Sequence, residues 1–260
     1  MNRREFVAGG LAVGIGSSMH SSPSESQWED RFVALEWYRC RRDLDVARLR
    51  GFLGDSVLPA LERALVKPVG VFQVSVGPDN PSFLVVSPYA SLAAVQEVRT
   101  RLSSDEKWGK ELSSFDDKWD LAYERMESSL LRAFKSFPQI EVPKLDEGKP
   151  HIFELRTYES RSLSAHEKKV RMFNIGEIEI FRKCGIHPVF FGSTVFGTRM
   201  PSLTYLVGYA SWEARGEAWA KFGQEPEWKK LSATPGYADR EIVSSISNQL
   251  LSPLPFSQIK

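Results

Sequence analysis

Apolar and polar residues alternate over residues 152–158, which predicts a β-strand with two distinct faces. One face carries Phe153, Leu155 and Thr157, whereas the other carries Glu154, Arg156 and Tyr158. Because successive side chains of a strand point to opposite sides of the sheet, each set of three must share one side.

Helical and alternating patterns follow this strand in a regular order. Ser164 opens a capping-box sequence that ends at Glu167, and Gly185 has the position of a C-cap glycine, so a helix is predicted between Ser164 and Lys183. Two strands, a helix capped by Ser211, a short helical turn and a closing strand are predicted next. These five elements are expected at residues 188–196, 203–210, 213–221, 225–231 and 240–250.

The chain matches itself when it is shifted by about 120 residues. Residues 35–38 (LEWY) fall on 155–158 (LRTY), and the string YAS at 89–91 recurs at 209–211. The matches keep the same order over the whole length, which indicates a duplication. We therefore predict a first repeat at residues 28–140, a linker at residues 141–150 and a second repeat at residues 151–260.

Each repeat has the element order β-α-β-β-α-β, which is the ferredoxin-like motif. This topology places both helices on one face of a four-stranded antiparallel sheet and leaves the other face bare. Two bare apolar faces in one chain are expected to pack together. The predicted fold is therefore α+β, with two tandem ferredoxin-like repeats whose sheets form a barrel within one chain. The alternative is that the repeats pair with those of a second chain; closure within one chain is favoured, and a further homodimer stays open.

Charge is balanced along the chain. The formal net charge is +1. Arg3, Arg4 and Glu5 together contribute this single positive charge, so the rest of the chain is neutral. A neutral body with interspersed charges has no electrostatic footprint for nucleic acid or an anionic membrane, so neither is predicted as a partner. The two cysteines, Cys40 and Cys184, fall at non-equivalent places in the two repeats. This favours two buried free thiols over a single bridge.

Residues 1–27 have the layout of a bacterial export signal. Arg3 and Arg4, then Phe6 and a glycine-rich apolar run to about Met19, match a signal of the twin-arginine type. The run is shorter than the ~20 apolar residues of a transmembrane helix. We predict export to the periplasm or cell envelope, without an integral membrane span once the signal is removed. Because no clear A-x-A cleavage site follows, an uncleaved, tethered form is the alternative.

The string at residues 153–158 (FELRTY), the segment 203–211 and the closing segment 250–257 resemble the NIPSNAP family. The resemblance implies the dimeric α/β-barrel (ferredoxin-like) fold, often as two tandem domains. It implies no agreed chemistry, and a fold by itself does not define a function. The first repeat departs from the pattern, because Ala34 stands where Glu154 stands and Glu36 stands where Arg156 stands.

The polar face of the first strand supplies the candidate ligand-binding residues. We expect this face to point into the barrel, where a carboxylate, a guanidinium and a phenol could bind a polar group of a ligand. The candidates are Glu154, Arg156 and Tyr158, with Glu36 and Tyr38 of the first repeat and His187. The structural alternative is a Glu154–Arg156 pair that only neutralises itself, and ligand contact is favoured over catalysis.

His187 is predicted at the start of a strand near the barrel mouth, where it could act as a base or, as in some relatives of this fold, as a haem ligand. The more common role of a lone histidine there is a hydrogen bond. No histidine or cysteine cluster has metal-ligand spacing, and no nucleotide-binding motif occurs. We therefore predict neither a bound metal nor a cofactor.

Three functions remain open. The first is a barrel that binds a small apolar or aromatic molecule between its two sheets, as a binding protein or a cofactor-independent oxygenase or isomerase. The second is a non-enzymatic envelope or interaction protein whose barrel is filled by its own side chains. The third is haem handling through His187. A cavity that holds Glu154, Arg156 and Tyr158 would favour the first function.

Overall fold

The computed structural model of the chain describes residues 31–40, 46–117, 122–146 and 151–260. Within these residues, eight strands close into one antiparallel barrel in the order β1-β3-β2-β8-β5-β7-β6-β4. The predicted export signal lies outside the described residues. No helix of the described part has the length and apolar character that a membrane crossing requires.

Apart from one additional short helix in the second repeat, the two repeats have the same succession of strands and helices, which confirms the α+β prediction. The strands of the first repeat are β1 (Phe32–Arg39), β2 (Gly70–Val76), β3 (Ser82–Tyr89) and β4 (Arg125–Ala133). Its helices are α1 (Val46–Phe52), α2 (Leu58–Arg63), α3 (Leu92–Ser104) and α4 (Glu106–Asp116). The strands of the second repeat are β5 (Ile152–Glu159), β6 (His187–Phe196), β7 (Ser202–Tyr209) and β8 (Ser245–Pro253). Its helices are α5 (Leu163–Met172), α6 (Ile178–Cys184), α7 (Trp212–Gln224), α8 (Pro226–Ser232) and α9 (Asp239–Ile242).

The barrel closes through strand pairs that join one repeat to the other. β2 pairs with β8 through Phe72 and Pro253, and β4 pairs with β6 through Leu131 and Thr194. Each of these pairings contains a bulge. Because bulges increase the local twist of a strand, they help the two sheets to curve into a closed barrel.

Apolar side chains from both sheets fill the interior of the barrel, and we call this set the lumen core. Leu35 and Leu155 occupy equivalent positions in it and are each 4% exposed. Phe72 of β2 and Phe153 of β5 meet there with their ring centroids 5.1 Å apart. The centre of the barrel is therefore packed with side chains, which bury the two bare sheet faces that the sequence predicted.

The faces of β5 are the reverse of those predicted. Phe153 and Leu155 point into the lumen core, whereas Glu154, Arg156 and Tyr158 face the helices of the second repeat. Both faces of the strand are buried, one by the opposite sheet and one by helices. Alternation separates the two faces but cannot tell which of the two buried layers each one meets.

Each repeat covers the other with its C-terminal residues. Phe134 and Phe137 belong to the apolar layer between the sheet and the helices of the second repeat. In return, Leu254 and Phe256 pack in the corresponding layer of the first repeat, and Ser257 Oγ accepts a hydrogen bond from Val71 N at 2.9 Å. This exchange adds a second set of contacts that holds the two repeats together.

Local differences from the predicted elements are small. The N-cap of α5 is Ser162, which accepts from Ala165 N at 3.2 Å, rather than Ser164. A π-helical turn separates α5 from α6, and an equivalent turn separates α1 from α2. Residues 240–242 belong to the short helix α9, so the closing strand begins later than predicted. Cys40 and Cys184 are free and buried, as expected.

Candidate functional site

The polar residues of β5 form a hydrogen-bonded network with the helices and neighbouring strands of the second repeat. Glu154 is completely buried, and both of its carboxylate oxygens accept hydrogen bonds. The donors lie on β5, β7, α7 and β8: Arg156 at 2.8 Å, Arg215 at 2.9 Å, Asn248 at 2.9 Å, Trp219 at 3.0 Å and Tyr209 at 3.4 Å. The network fills the space between the sheet and α7.

The electrostatics of Glu154 fit a fixed structural anion. Burial alone would raise the pKa of Glu154, but hydrogen bonds from Arg215 and Asn248 and the charge of Arg156 outweigh it and lower the pKa to about 2. The guanidinium of Arg156 is in turn 2.8 Å from Glu154 and lies over the ring of Trp219. A carboxylate with this many donors stays ionised and has little capacity left to bind a ligand.

A second buried ion pair lies beside this network. Lys169 is completely buried, and its Nζ is 3.2 Å from Glu177 Oε2 and 3.2 Å from Asp239 Oδ1. The ammonium also faces the rings of Tyr158 and Trp228 at 5.4 and 5.5 Å. Sequence reasoning missed this pair because the residues come from α5, the π-helical turn and α9. The one available signal was that the second repeat has charges where the first has Leu49 and Val57.

The equivalent space of the first repeat is open. A cavity of about 570 Å³ lies between its sheet and its helices, and we call it the first-repeat cavity. Ala34 of β1 lines it at the position that corresponds to Glu154, and Val95 of α3 lines it at the position of Arg215. The loss of the carboxylate and of its main donor leaves a volume that no described side chain fills.

Glu36 is the carboxylate among the residues that line this cavity. It makes no hydrogen bond or ion pair within the described part of the chain, although it lines the cavity and is partly buried. Burial raises the pKa of Glu36, and the charge of Arg99 only partly opposes this. Burial, with the charge of Glu36, also raises the pKa of Tyr89 to about 12 and raises the pKa of Tyr38. Both tyrosines therefore present neutral hydroxyl groups to the cavity at neutral pH.

The rim of the first-repeat cavity is apolar and exposed. Leu92 is 49% exposed, Met126 is 50% exposed and Phe196, which the second repeat contributes, is 64% exposed. Exposed large apolar side chains that cluster at an opening are typical of a ligand-binding site. The indole of Trp108 and the aliphatic side chains of α2 and α3 line the interior.

The structure thus separates the six predicted site residues. Glu36 and Tyr38 lie together in the first-repeat cavity, whereas Glu154, Arg156 and Tyr158 belong to the packed layer of the second repeat. His187 begins β6, where burial and the charge of Arg182 lower its pKa. It does not line the cavity. Among the described residues, no group of three His, Cys, Asp or Glu side chains could hold a metal ion.

Fold and cavity together define a tandem α+β barrel with one packed and one open space between sheet and helices. The sequence profile of the NIPSNAP family matches residues 50–138 and 153–258, and the chain belongs to this family. The two matched segments correspond to the two repeats. No curated protein matches the chain.

Several solved structures have a similar fold. A candidate monooxygenase from Lactobacillus acidophilus NCFM is 9% identical with a TM-score of 0.55, over 86% of this chain and 94% of that chain. An anthrone oxidase-like protein is 10% identical with a TM-score of 0.52, over 86% and 91% of the two chains. A NIPSNAP-like domain protein from Burkholderia xenovorans is 24% identical with a TM-score of 0.37, over 41% and 88%. The first two likenesses concern the fold alone, so the geometry of the site must decide the function.

Proposed function

We propose that the protein binds a small, mainly apolar molecule of aromatic type in the first-repeat cavity and that Glu36 accepts a proton or a hydrogen bond from it. The enzymatic form of this proposal is a cofactor-independent isomerase or oxygenase, whose reaction begins when Glu36 removes a proton from the bound molecule. The observation that carries the proposal is a carboxylate in an open, largely apolar cavity that makes no hydrogen bond or ion pair with any described residue.

The size and the lining of the cavity support a small-molecule ligand. Its volume of about 570 Å³ lies within the usual range of ligand pockets, about 300–1,000 Å³. Most lining side chains are aliphatic or aromatic, and the polar groups are few and close together: Glu36, Tyr38, Tyr89, Gln96 and Arg99. An apolar body would fill the cavity, and one donor group would be directed to Glu36.

The raised pKa of Glu36 supports its role as a base. A general base works best when its pKa is close to the working pH, and burial shifts Glu36 in that direction. An isomerisation needs no further reactant, since the proton taken from one carbon returns to another. An oxygenation needs dioxygen as the oxidant, which the substrate anion reduces. The names of the two full-length structural neighbours agree with the second reaction, although their low identity carries only the fold.

The alternative is a non-enzymatic barrel protein. The lumen core favours this alternative, because its apolar side chains fill the space between the two sheets at the centre of the barrel. The two functions differ in what the first-repeat cavity does. Catalysis requires Glu36 to exchange a proton with a bound molecule, whereas an interaction protein would need no carboxylate there.

A fluorescence titration with 1-N-phenylnaphthylamine, a neutral aromatic probe, tests the site. Ala34→Phe places a ring in the first-repeat cavity and should abolish saturable binding. Ala93→Phe adds the same ring at an exposed position of the same helix layer that does not line the cavity, and should leave binding unchanged. Equal binding by both variants would show that the probe binds elsewhere. Native mass spectrometry of the purified protein would then identify a co-purified ligand.

The role of Glu36 needs a probe with a donor group. The wild-type protein should bind 2-naphthol more tightly than naphthalene, because the hydroxyl can donate to the carboxylate. Glu36→Leu should remove this preference by weakening 2-naphthol binding about tenfold while naphthalene binding stays the same. If the preference survived in Glu36→Leu, Glu36 would have no part in ligand recognition.

We also propose export of the protein through the twin-arginine route, on the basis of Arg3 and Arg4 and the apolar run behind them. Fractionation of cells that express the full chain should recover it outside the cytoplasm. Replacement of both arginines by lysine should retain it in the cytoplasm, and export of the double variant would rule out this route.

A further inference from the structure

A second cavity, of about 410 Å³, opens at the end of the barrel where β1 and β5 finish. We call it the mouth cavity. Both repeats contribute to its wall, among them Trp37 and Arg39 of β1 and Thr157 and Thr204 of the second repeat. Its lining also includes Leu35 of the lumen core. The cavity therefore lies on the barrel axis and is separate from the first-repeat cavity between sheet and helices.

Guanidinium and carboxylate groups line the side that the first repeat contributes. Arg39 Nη2 is 2.9 Å from Glu127 Oε2, and Arg125 Nε is 2.8 Å from Glu127 Oε1. Arg125 Nη2 lies 3.6 Å from Asp79 Oδ2. The two arginines are thus held in place by carboxylates, which fixes the direction of their remaining N–H groups.

Arg39 has donor capacity that the protein does not use. Its side chain is only 10% exposed and lies 4.1 Å from the ring of Trp37. Its Nη1 is buried and makes no hydrogen bond with any residue that the structure describes. A buried, charged N–H group without an acceptor is unfavourable and rare in folded proteins, so an acceptor on a bound molecule would stabilise this arrangement.

Hydroxyl groups line the opposite side of the mouth cavity. Thr157 Oγ1 and Thr204 Oγ1 are 2.9 Å apart, and Thr194 Oγ1 and Ser202 Oγ are 2.9 Å apart. Each hydroxyl of such a pair retains capacity for a further hydrogen bond. This wall fits a ligand that itself carries hydroxyl groups.

The charge of the lining leaves one positive group in excess. Three guanidiniums, those of Arg39, Arg125 and Arg199, face two carboxylates, those of Asp79 and Glu127. Arg199 donates to Ser247 at 3.0 Å, and its only ion pair within the described residues, with Glu159, is as long as 3.9 Å.

We infer that the mouth cavity binds a small hydroxylated monocarboxylate of the size of a sugar acid. Its carboxylate would accept from the unused guanidinium N–H groups, its hydroxyls would meet the threonine and serine wall, and Trp37 and Leu35 would border its carbon skeleton. The ligand would contact both repeats at once. This site is independent of the proposed function of the first-repeat cavity.

Isothermal titration of the full chain with D-glucuronate tests the inference, with D-glucose and acetate as comparison ligands. Glucose lacks the carboxylate and acetate lacks the hydroxyls. D-glucuronate should bind at a single site and at least about tenfold more tightly than either comparison ligand. No binding of D-glucuronate, or equal binding of D-glucose, would overturn the inference.

Variants locate the site. Arg199→Ala should weaken D-glucuronate binding about tenfold, and its exposed position makes a folding defect unexpected. Thr157→Val keeps the shape and removes a hydroxyl, and should weaken binding by about fivefold. Arg171→Ala, on the exposed side of α5, is the matched control and should have no effect. If the control weakened binding as much as Arg199→Ala, the ligand would respond to overall charge and the mouth cavity would not be its site.

Discussion

The two repeats are alike on the inner face of their sheets and unlike on the outer face. Inside the barrel, Leu35 and Leu155 are buried to the same extent in one shared core. Between sheet and helices, the second repeat holds Glu154 in a network of donors, whereas the first repeat has Ala34 and an open cavity. A duplicated domain can therefore keep the sheet face that joins its copies and change the layer between each sheet and its own helices.

The difference also shows that the network of the second repeat is interdependent. Arg215 and Trp219 both donate to Glu154, and the first repeat has Val95 and Arg99 at the corresponding positions of α3. Without the carboxylate, a buried guanidinium at the position of Arg215 would lack its acceptor, so its presence would not stabilise the first repeat. The layer between sheet and helices is accordingly packed around a carboxylate in the second repeat and open in the first.

The largest effect is expected from Glu154→Ala. The substitution would leave Arg156 and Arg215 without their shared carboxylate in a buried layer, and should lower the free energy of unfolding by about 3–5 kcal/mol. Urea denaturation at neutral pH measures the change. The matched control is Glu36→Ala in the first repeat, which removes a carboxylate that makes no hydrogen bond or ion pair with a described residue and should not destabilise the fold. Similar losses for both variants would contradict the contrast between a packed and an open layer.

The Lys169–Glu177 pair can be replaced by the two apolar residues that the first repeat has at the equivalent positions. Lys169→Leu alone leaves Glu177 buried without its cation and should cost about 3–5 kcal/mol. The double variant Lys169→Leu, Glu177→Val reproduces Leu49 and Val57 of the first repeat and should recover most of that loss, to within about 2 kcal/mol of the wild type. Additive losses in this cycle, measured by urea denaturation, would show that the pair is not coupled.

The lumen core should respond in the same way in both repeats. Leu35→Ala and Leu155→Ala each remove a buried isopropyl group at equivalent positions, so each should cost about 2–4 kcal/mol, with the two values close to each other. Thermal and urea unfolding would measure both. A loss confined to Leu155→Ala would mean that the barrel interior is less symmetric than its packing indicates.

The fold was predictable because its signals are local and occur twice. The alternation in β5, the serine cap at Ser211 and the C-cap at Gly185 are each readable from a few residues, and the serine cap recurs in the first repeat at Ser91. The strand faces were not predictable from alternation, because Glu154 and Leu155 are both buried. Polar residues were assigned to the barrel interior, which the structure instead fills with apolar side chains.

The candidate site was only half predictable. Glu36 and Tyr38 could be selected as the counterparts of Arg156 and Tyr158, and they do line a cavity. The cavity itself exists because the first repeat lacks the carboxylate and the donor side chains of the second repeat. A sequence motif consists of residues that are present, so it cannot indicate such a loss. The substitution of Ala34 for Glu154 was the available signal, although its meaning requires the donors on α7, which are distant in sequence.

The smallest effect, and the one most specific to the open layer, concerns the pH dependence of stability. Burial raises the folded-state pKa of Glu36 above its ordinary value of 4.5, so the folded protein holds this proton more strongly than the unfolded chain does. Stability is therefore lost as pH rises from about 4.5 through the raised pKa. Glu154 has the opposite sign, because its pKa is lowered to about 2 and its contribution is lost as pH falls from about 4.5.

Glu36→Gln removes the first of these two dependences and leaves the second. The variant should equal the wild type in stability near pH 4 and exceed it at neutral pH by at most about 2 kcal/mol. Urea denaturation at a series of pH values would show the two curves separating as pH rises. Glu97→Gln, at an exposed position of α3 outside the cavity, is the control and should follow the wild type throughout. A constant difference between Glu36→Gln and the wild type across this range would mean that the carboxylate of Glu36 titrates in the folded protein as it does in water, and the cavity would then lack the apolar character that the proposed chemistry requires.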